Sequence, residues 1–128
     1  MDFSFSGLKT SVRNFIARDD GKTSTADIAA SLQAAIVDVL TEKMRRAARQ
    51  TGIRTLCLAG GVAANVPLQM AMRRMAEEEA LHLVVPDPVL CTDNAAMIAA
   101  AGYYRLLHRP ADNLGFDTLA TEPLAAYP

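Results

Sequence analysis

Between Ile53 and Val85 the chain reads IRTLCLAGG, then, after Val62 and Ala63, ANVPLQMAMRRMAEEEA, then LHLVV. The first segment is an apolar strand running into a Gly-Gly turn. The second is a helix whose Pro67 falls in the first turn, where a missing N–H costs little, and the third is another strand. This order constrains the fold more than any other feature, because strands joined through a helix align in parallel with a right-handed crossover.

The same reading extends outward. In DFSFSGLKTSVRNFIARDDG, Phe3 and Phe5 alternate with Ser4 and Ser6, the period of a short strand. From Gly7 the period becomes helical: Leu8, Val12, Phe15 and Ile16 form one stripe, with Ser6 as the expected N-cap and Asp19, Asp20 and Gly21 as the stop. A long helix follows, with Ile28, Leu32, Ala35, Ile36, Val39, Leu40 and Met44 on one face. Ser24 with Asp27 resembles a capping box at its start, and Gly52 stands at its end. After LHLVV, PDPVLC reads as a proline-stiffened loop and TDNAAMIAAAGYYRLLH as an Ala-rich helix, with irregular chain beyond Pro110. The order β, α, α, β, α, β, α predicts an α/β fold with a narrow, mostly parallel three-stranded sheet and flanking helices. The predicted domain covers residues 1–110, followed by an irregular tail over 111–128.

A chain of 128 residues suffices for one domain, and with 51% hydrophobic but only 5% aromatic residues its core must be built from aliphatic side chains and Met. No apolar run reaches the ~20 residues of a membrane span, and no signal peptide opens the chain, so the expected location is the cytoplasm. Cys57 and Cys91 form no CxxC pair, which argues against a disulfide framework or a zinc knuckle. A net charge of −1 gives no global attraction to nucleic acid. Lys43, Arg45, Arg46 and Arg49 form a local basic cluster that reads first as the solvated C-terminal end of a helix, and second as a nucleic-acid contact.

Two short stretches could carry chemistry. In LAGGVAANVPL, Gly60 and Gly61 admit backbone angles closed to other residues and let a ligand approach the main chain, where the next helix offers free N–H groups for an anion or nucleotide. Asn65 either caps that helix or directs its amide at a ligand; the glycines equally could serve packing alone. In LCTDNAAMIAAAGYY, Thr92, Asp93 and Asn94 are all suitable N-caps, and Asp93 is also placed to bind a metal or orient a substrate at the carboxyl end of the sheet. Asp2, Ser6 and Lys9 do not assemble a nucleophile with its base, and His82 and His108 are not spaced as a metal pair, so all five read as structural.

DFSFSGLKT, GGVAAN and CTDNAAMIA, in that order, resemble the C-terminal lobe of the tRNA N6-adenosine threonylcarbamoyltransferases (TsaD), formerly called glycoproteases or O-sialoglycoprotein endopeptidases. The resemblance spans Asp2 to about Tyr104. It implies a ribonuclease-H-like lobe of the actin/Hsp70/sugar-kinase superfamily, one of two lobes that enclose a ligand cleft. It also implies transfer of a threonylcarbamoyl group from threonylcarbamoyl-adenylate to the exocyclic amine of the tRNA adenosine beside the anticodon. Carried over by motif, Asn65 would contact the adenylate, Gly60 and Gly61 would shape its pocket, and Asp93 would bind the single divalent metal, iron or zinc. Partner proteins of the threonylcarbamoyladenosine pathway are implied as well.

The family's HxxxH metal ligands and its SGGHT-type phosphate loop do not occur in this sequence. One carboxylate holds a divalent ion poorly, so the chain is expected not to catalyse transfer alone. Met1 directly before the first motif suggests a truncated form, a proteolytic product or a misplaced start. Surface left open by a missing lobe would invite self-association. A partner-interaction lobe without catalysis, and a peptidase or ATPase of the same superfamily, are the competing expectations.

Overall fold

The computed structural model describes residues 5–113, 115 and 117. The elements are α1 (Phe5–Asp19), α2 (Thr25–Thr51), β1 (Thr55–Cys57), a 3-10 turn (Gly61–Ala64), α3 (Val66–Glu78), β2 (His82–Val84), α4 (Pro88–Cys91) and α5 (Ala95–His108). The chain divides into two compact units, one ending at Asp93 and the other beginning at Asn94.

In the first unit, β1 and β2 pair in parallel with α3 as the crossover, in the register Thr55 with His82, Leu56 with Leu83 and Cys57 with Val84. The ladder continues at both ends through His82 N–H to the Arg54 carbonyl (2.8 Å) and Leu58 N–H to the Val84 carbonyl (3.0 Å). The α/β character and parallel pairing agree with the sequence, but two strands are present among the described residues, not three. Phe3 and Ser4 of the expected first strand lie outside the described residues. Phe5 and Ser6 are helical, so Ser6 is not an N-cap; its carbonyl accepts from the Thr10 hydroxyl one turn later (3.1 Å). Two alternations are too few to outweigh a helical stripe that starts at Leu8 and propagates backward.

The ends of α2 follow the sequence. Ser24 Oγ accepts from Asp27 N–H (3.1 Å) and Gly52 closes the helix in the left-handed conformation at φ 70°, its N–H donating to the Ala48 carbonyl. The apolar face of α2 serves two neighbours. Ile28, Leu32 and Ala35 share a groove with Leu8, Val12 and Phe15 of α1, whereas Val37, Leu40, Met44 and Ala48 join Leu56, Leu68, Met72 and Met75 in the core. Phe15 and Ile16 stay about half exposed, so the stripe of α1 is covered only in part.

Arg45 donates to Glu78 (2.9 Å) and Arg49 Nε to Glu79 (2.8 Å), tying the end of α2 to the end of α3, while Arg46 pairs with Glu42 (2.7 Å) along the helix. Arg45, Arg46 and Arg49 of the basic cluster are thus each paired with an acid. The Arg49 guanidinium, by hydrogen bond and charge, holds the Glu79 carboxyl below its ordinary range, and Arg46 does the same to Glu42.

PDPVLC is not a loop throughout: Pro88–Cys91 form the single turn α4. Pro88 sits in its first turn, where its fixed φ suits a helix start, and Cys91 is buried beneath. In the second unit, α5 has no buried residue, and Ile98, Tyr103, Tyr104, Leu106 and Leu107 are each about 60% exposed or more. Residues 109–113 carry no helix or strand. Among the described residues no helix is long and apolar enough to cross a membrane.

Candidate functional site

The turn after β1 begins at Gly60, whose φ of 85° and ψ of 173° place it in a region open essentially to glycine alone. Gly60 is therefore required by the backbone. Gly61 has no positive φ, and a Cβ built on either glycine would meet no atom within 4 Å. Packing does not explain Gly61, and the face of the turn is open at both positions.

The chain then makes one 3-10 turn, with Ala63 fully buried, and enters α3 at Asn65. Asn65 Oδ1 accepts from Leu68 N–H (3.0 Å), an N-cap that satisfies one of the free donors of the first turn. Leu68 itself is 1% exposed and anchors the cap to the core. One turn further on, Gln69 Nε2 donates to the Ala63 carbonyl (2.7 Å) and so braces the 3-10 turn from behind. The Asn65 Nδ2 donates to Gln33 Oε1 on α2 (3.2 Å). A cleft of about 250 Å³, lined among others by Leu32, Gln33, Ile36, Val62, Asn65 and Leu68, lies between α2 and this turn.

Gly60, Gly61 and Asn65 are thus brought together in one turn. Gln33 and Gln69 were not singled out by sequence. For Gln69 a signal existed, since it stands at i+4 from Asn65 on the same helix face. For Gln33 there was none, because its role depends on α2 packing beside a turn 32 residues later.

α4 packs against the same 3-10 turn. Two residues beyond it, Asp93 is exposed in the bend that precedes α5. Of the three capping candidates it is Asn94 whose Oδ1 accepts from Met97 N–H (2.9 Å), so the cap of α5 does not consume the Asp93 carboxylate. Among the described residues, no three His, Cys, Asp or Glu side chains converge where they could hold a metal ion. The donors among the described residues do not form a metal site by themselves.

The family described as TsaD, tRNA N6-adenosine threonylcarbamoyltransferase, matches residues 1–100. Curated relatives carrying the name tRNA N6-adenosine threonylcarbamoyltransferase include one from Symbiobacterium thermophilum, 53% identical over 80% of this chain and 31% of the relative. Another, from Desulfitobacterium hafniense, is 50% identical over 85% of this chain and 33% of the relative. A third, from Geotalea daltonii, is 44% identical over 98% of this chain and 38% of the relative. The chain spans about a third of the length of these relatives. From the match over residues 1–100, the chain belongs to the tRNA N6-adenosine threonylcarbamoyltransferase family.

Proposed function

We propose that this chain forms the adenylate-binding part of a threonylcarbamoyltransferase, within a ribonuclease-H-like lobe of the actin-like type. The reading rests on family membership and on one observation, the open glycine turn that runs into the Asn65 cap. At Gly60 and Gly61 no side chain stands between a ligand and the main chain, and the following helix supplies N–H groups suited to an anion. Asn65 adds an amide able to bond the nucleoside portion of threonylcarbamoyl-adenylate.

Asp93 would contribute one carboxylate to a divalent metal, iron or zinc, with the remaining ligands supplied from outside this sequence. When bound, such an ion supplies positive charge that polarises the reacting carbamoyl group. The residues of this chain bind and orient: Asn65 holds the adenylate, the glycines admit it, and the acceptor is the exocyclic amine of the tRNA adenosine beside the anticodon. With one ligand in the chain, transfer would need the missing part of the protein, and the chain alone would be inactive. Partner proteins of the threonylcarbamoyladenosine pathway, or a second copy of the chain, would meet the apolar surface of α5.

Calorimetric titration with a stable threonylcarbamoyl-adenylate analogue tests this reading, first with the chain alone. The titration is then repeated with the separately expressed N-terminal part of a relative and one equivalent of iron or zinc. Affinity that rises on mixing supports a site shared between the two parts. No binding in either arrangement contradicts it.

A further inference from the structure

We infer that Gln33 is a positioning residue that fixes the amide of Asn65, and that it does so from a different helix. The inference rests on the adenylate reading only for its functional consequence; the positioning follows from hydrogen bonding. An amide oxygen and nitrogen are distinguished by what faces them. The backbone N–H of Leu68 only donates, so the atom facing it at 3.0 Å is Asn65 Oδ1. Asn65 Nδ2 must then point the other way, where it meets Gln33 Oε1 at 3.2 Å. The Leu68 N–H thus fixes the orientation of the Asn65 amide, and Gln33 matches it by presenting Oε1 to Nδ2.

Two features make this more than a surface contact. Gln33 and Asn65 line the same cleft of about 250 Å³, whose other walls include Leu32, Ile36, Val62 and Leu68. A primary amide also has two N–H donors, and Gln33 uses one of them. The other remains for a ligand in a direction set by the first. Without Gln33 the cap still holds Oδ1, but the amide plane is free to turn about that single bond. Gln33 thereby converts a local helix cap into an oriented donor.

The test compares Gln33→Met, which keeps length and helix propensity but removes the acceptor, with Gln33→Glu, which keeps an acceptor at the same place. Two-dimensional NMR of the labelled chain reads the side-chain amide protons of Asn65, and thermal unfolding reads stability. The expected result is that Gln33→Met moves the Asn65 amide resonances toward those of a solvated amide while the melting temperature changes little, and that Gln33→Glu retains a hydrogen-bonded position. Binding of the threonylcarbamoyl-adenylate analogue should weaken about fivefold in Gln33→Met, the effect of one neutral hydrogen bond. Asn65 resonances identical in wild type and Gln33→Met would overturn the inference. If wild type binds the analogue neither alone nor mixed with the N-terminal part of a relative, the adenylate reading fails, whereas the NMR comparison still decides the role of Gln33.

Discussion

Asn65 and Asn94 perform the same local task in different surroundings. Each accepts a hydrogen bond from the N–H three residues on, at 3.0 Å and 2.9 Å. The helix that Asn65 opens buries Leu68, Met72, Met75 and Ala76, and the turn before it is braced by Gln69. The helix that Asn94 opens buries nothing. A cap is a local device, fixed by a few dihedral angles, whereas an oriented amide beside an open turn needs neighbours from elsewhere in the chain.

The largest break in this comparison should come from the core below the first cap. Leu68→Ala is expected to cost about 3 kcal/mol in chemical denaturation, from lost burial and the cavity left behind. Met97→Ala at the equivalent position of α5 should cost under about 1 kcal/mol, because Met97 is 46% exposed. Next comes the turn itself. Gly60→Ala forces a Cβ into a glycine-only conformation and should destabilise by about 2 kcal/mol, while Gly61→Ala should stay within about 0.5 kcal/mol and act on ligand affinity instead. Thermal melts and analogue titrations of the two variants separate these effects.

The caps should respond equally to truncation. Asn65→Ala and Asn94→Ala are each expected to cost about 1 kcal/mol, the value of a lost side-chain cap, as read by denaturant midpoints. A weaker effect concerns pH. Glu79 has its carboxyl held down in the folded state by Arg49, so it contributes stability that is present above the range of a free carboxyl. That contribution is lost as the pH falls through the lower folded value. Acid unfolding of Glu79→Gln should accordingly be less steep below about pH 4. Asp93→Asn should leave stability unchanged within about 0.5 kcal/mol, since the carboxylate is exposed and the cap belongs to Asn94.

The parts legible in the sequence are those decided over a few residues. Ser24 and Gly52 marked both ends of α2, Asn65 marked the start of α3, and the apolar runs around Leu56 and Leu83 gave paired parallel strands. Phe5 and Ser6 misled because two alternations fit a strand and the first turn of a helix equally, and Pro88 hid α4 because a proline that stiffens a loop also starts a helix. Gly60, Gly61, Asn65 and Asp93 were visible as residues. The bond from Gln33 was not, for no spacing rule links α2 to a turn beyond the next strand.

The most direct measurement is calorimetric titration of the threonylcarbamoyl-adenylate analogue into wild type and Asn65→Ser. Serine keeps the cap and removes the amide, so stability should hold while affinity falls about tenfold or more. Equal affinity in the two proteins would contradict the assignment of Asn65 and leave the glycine turn as a structural feature of the fold.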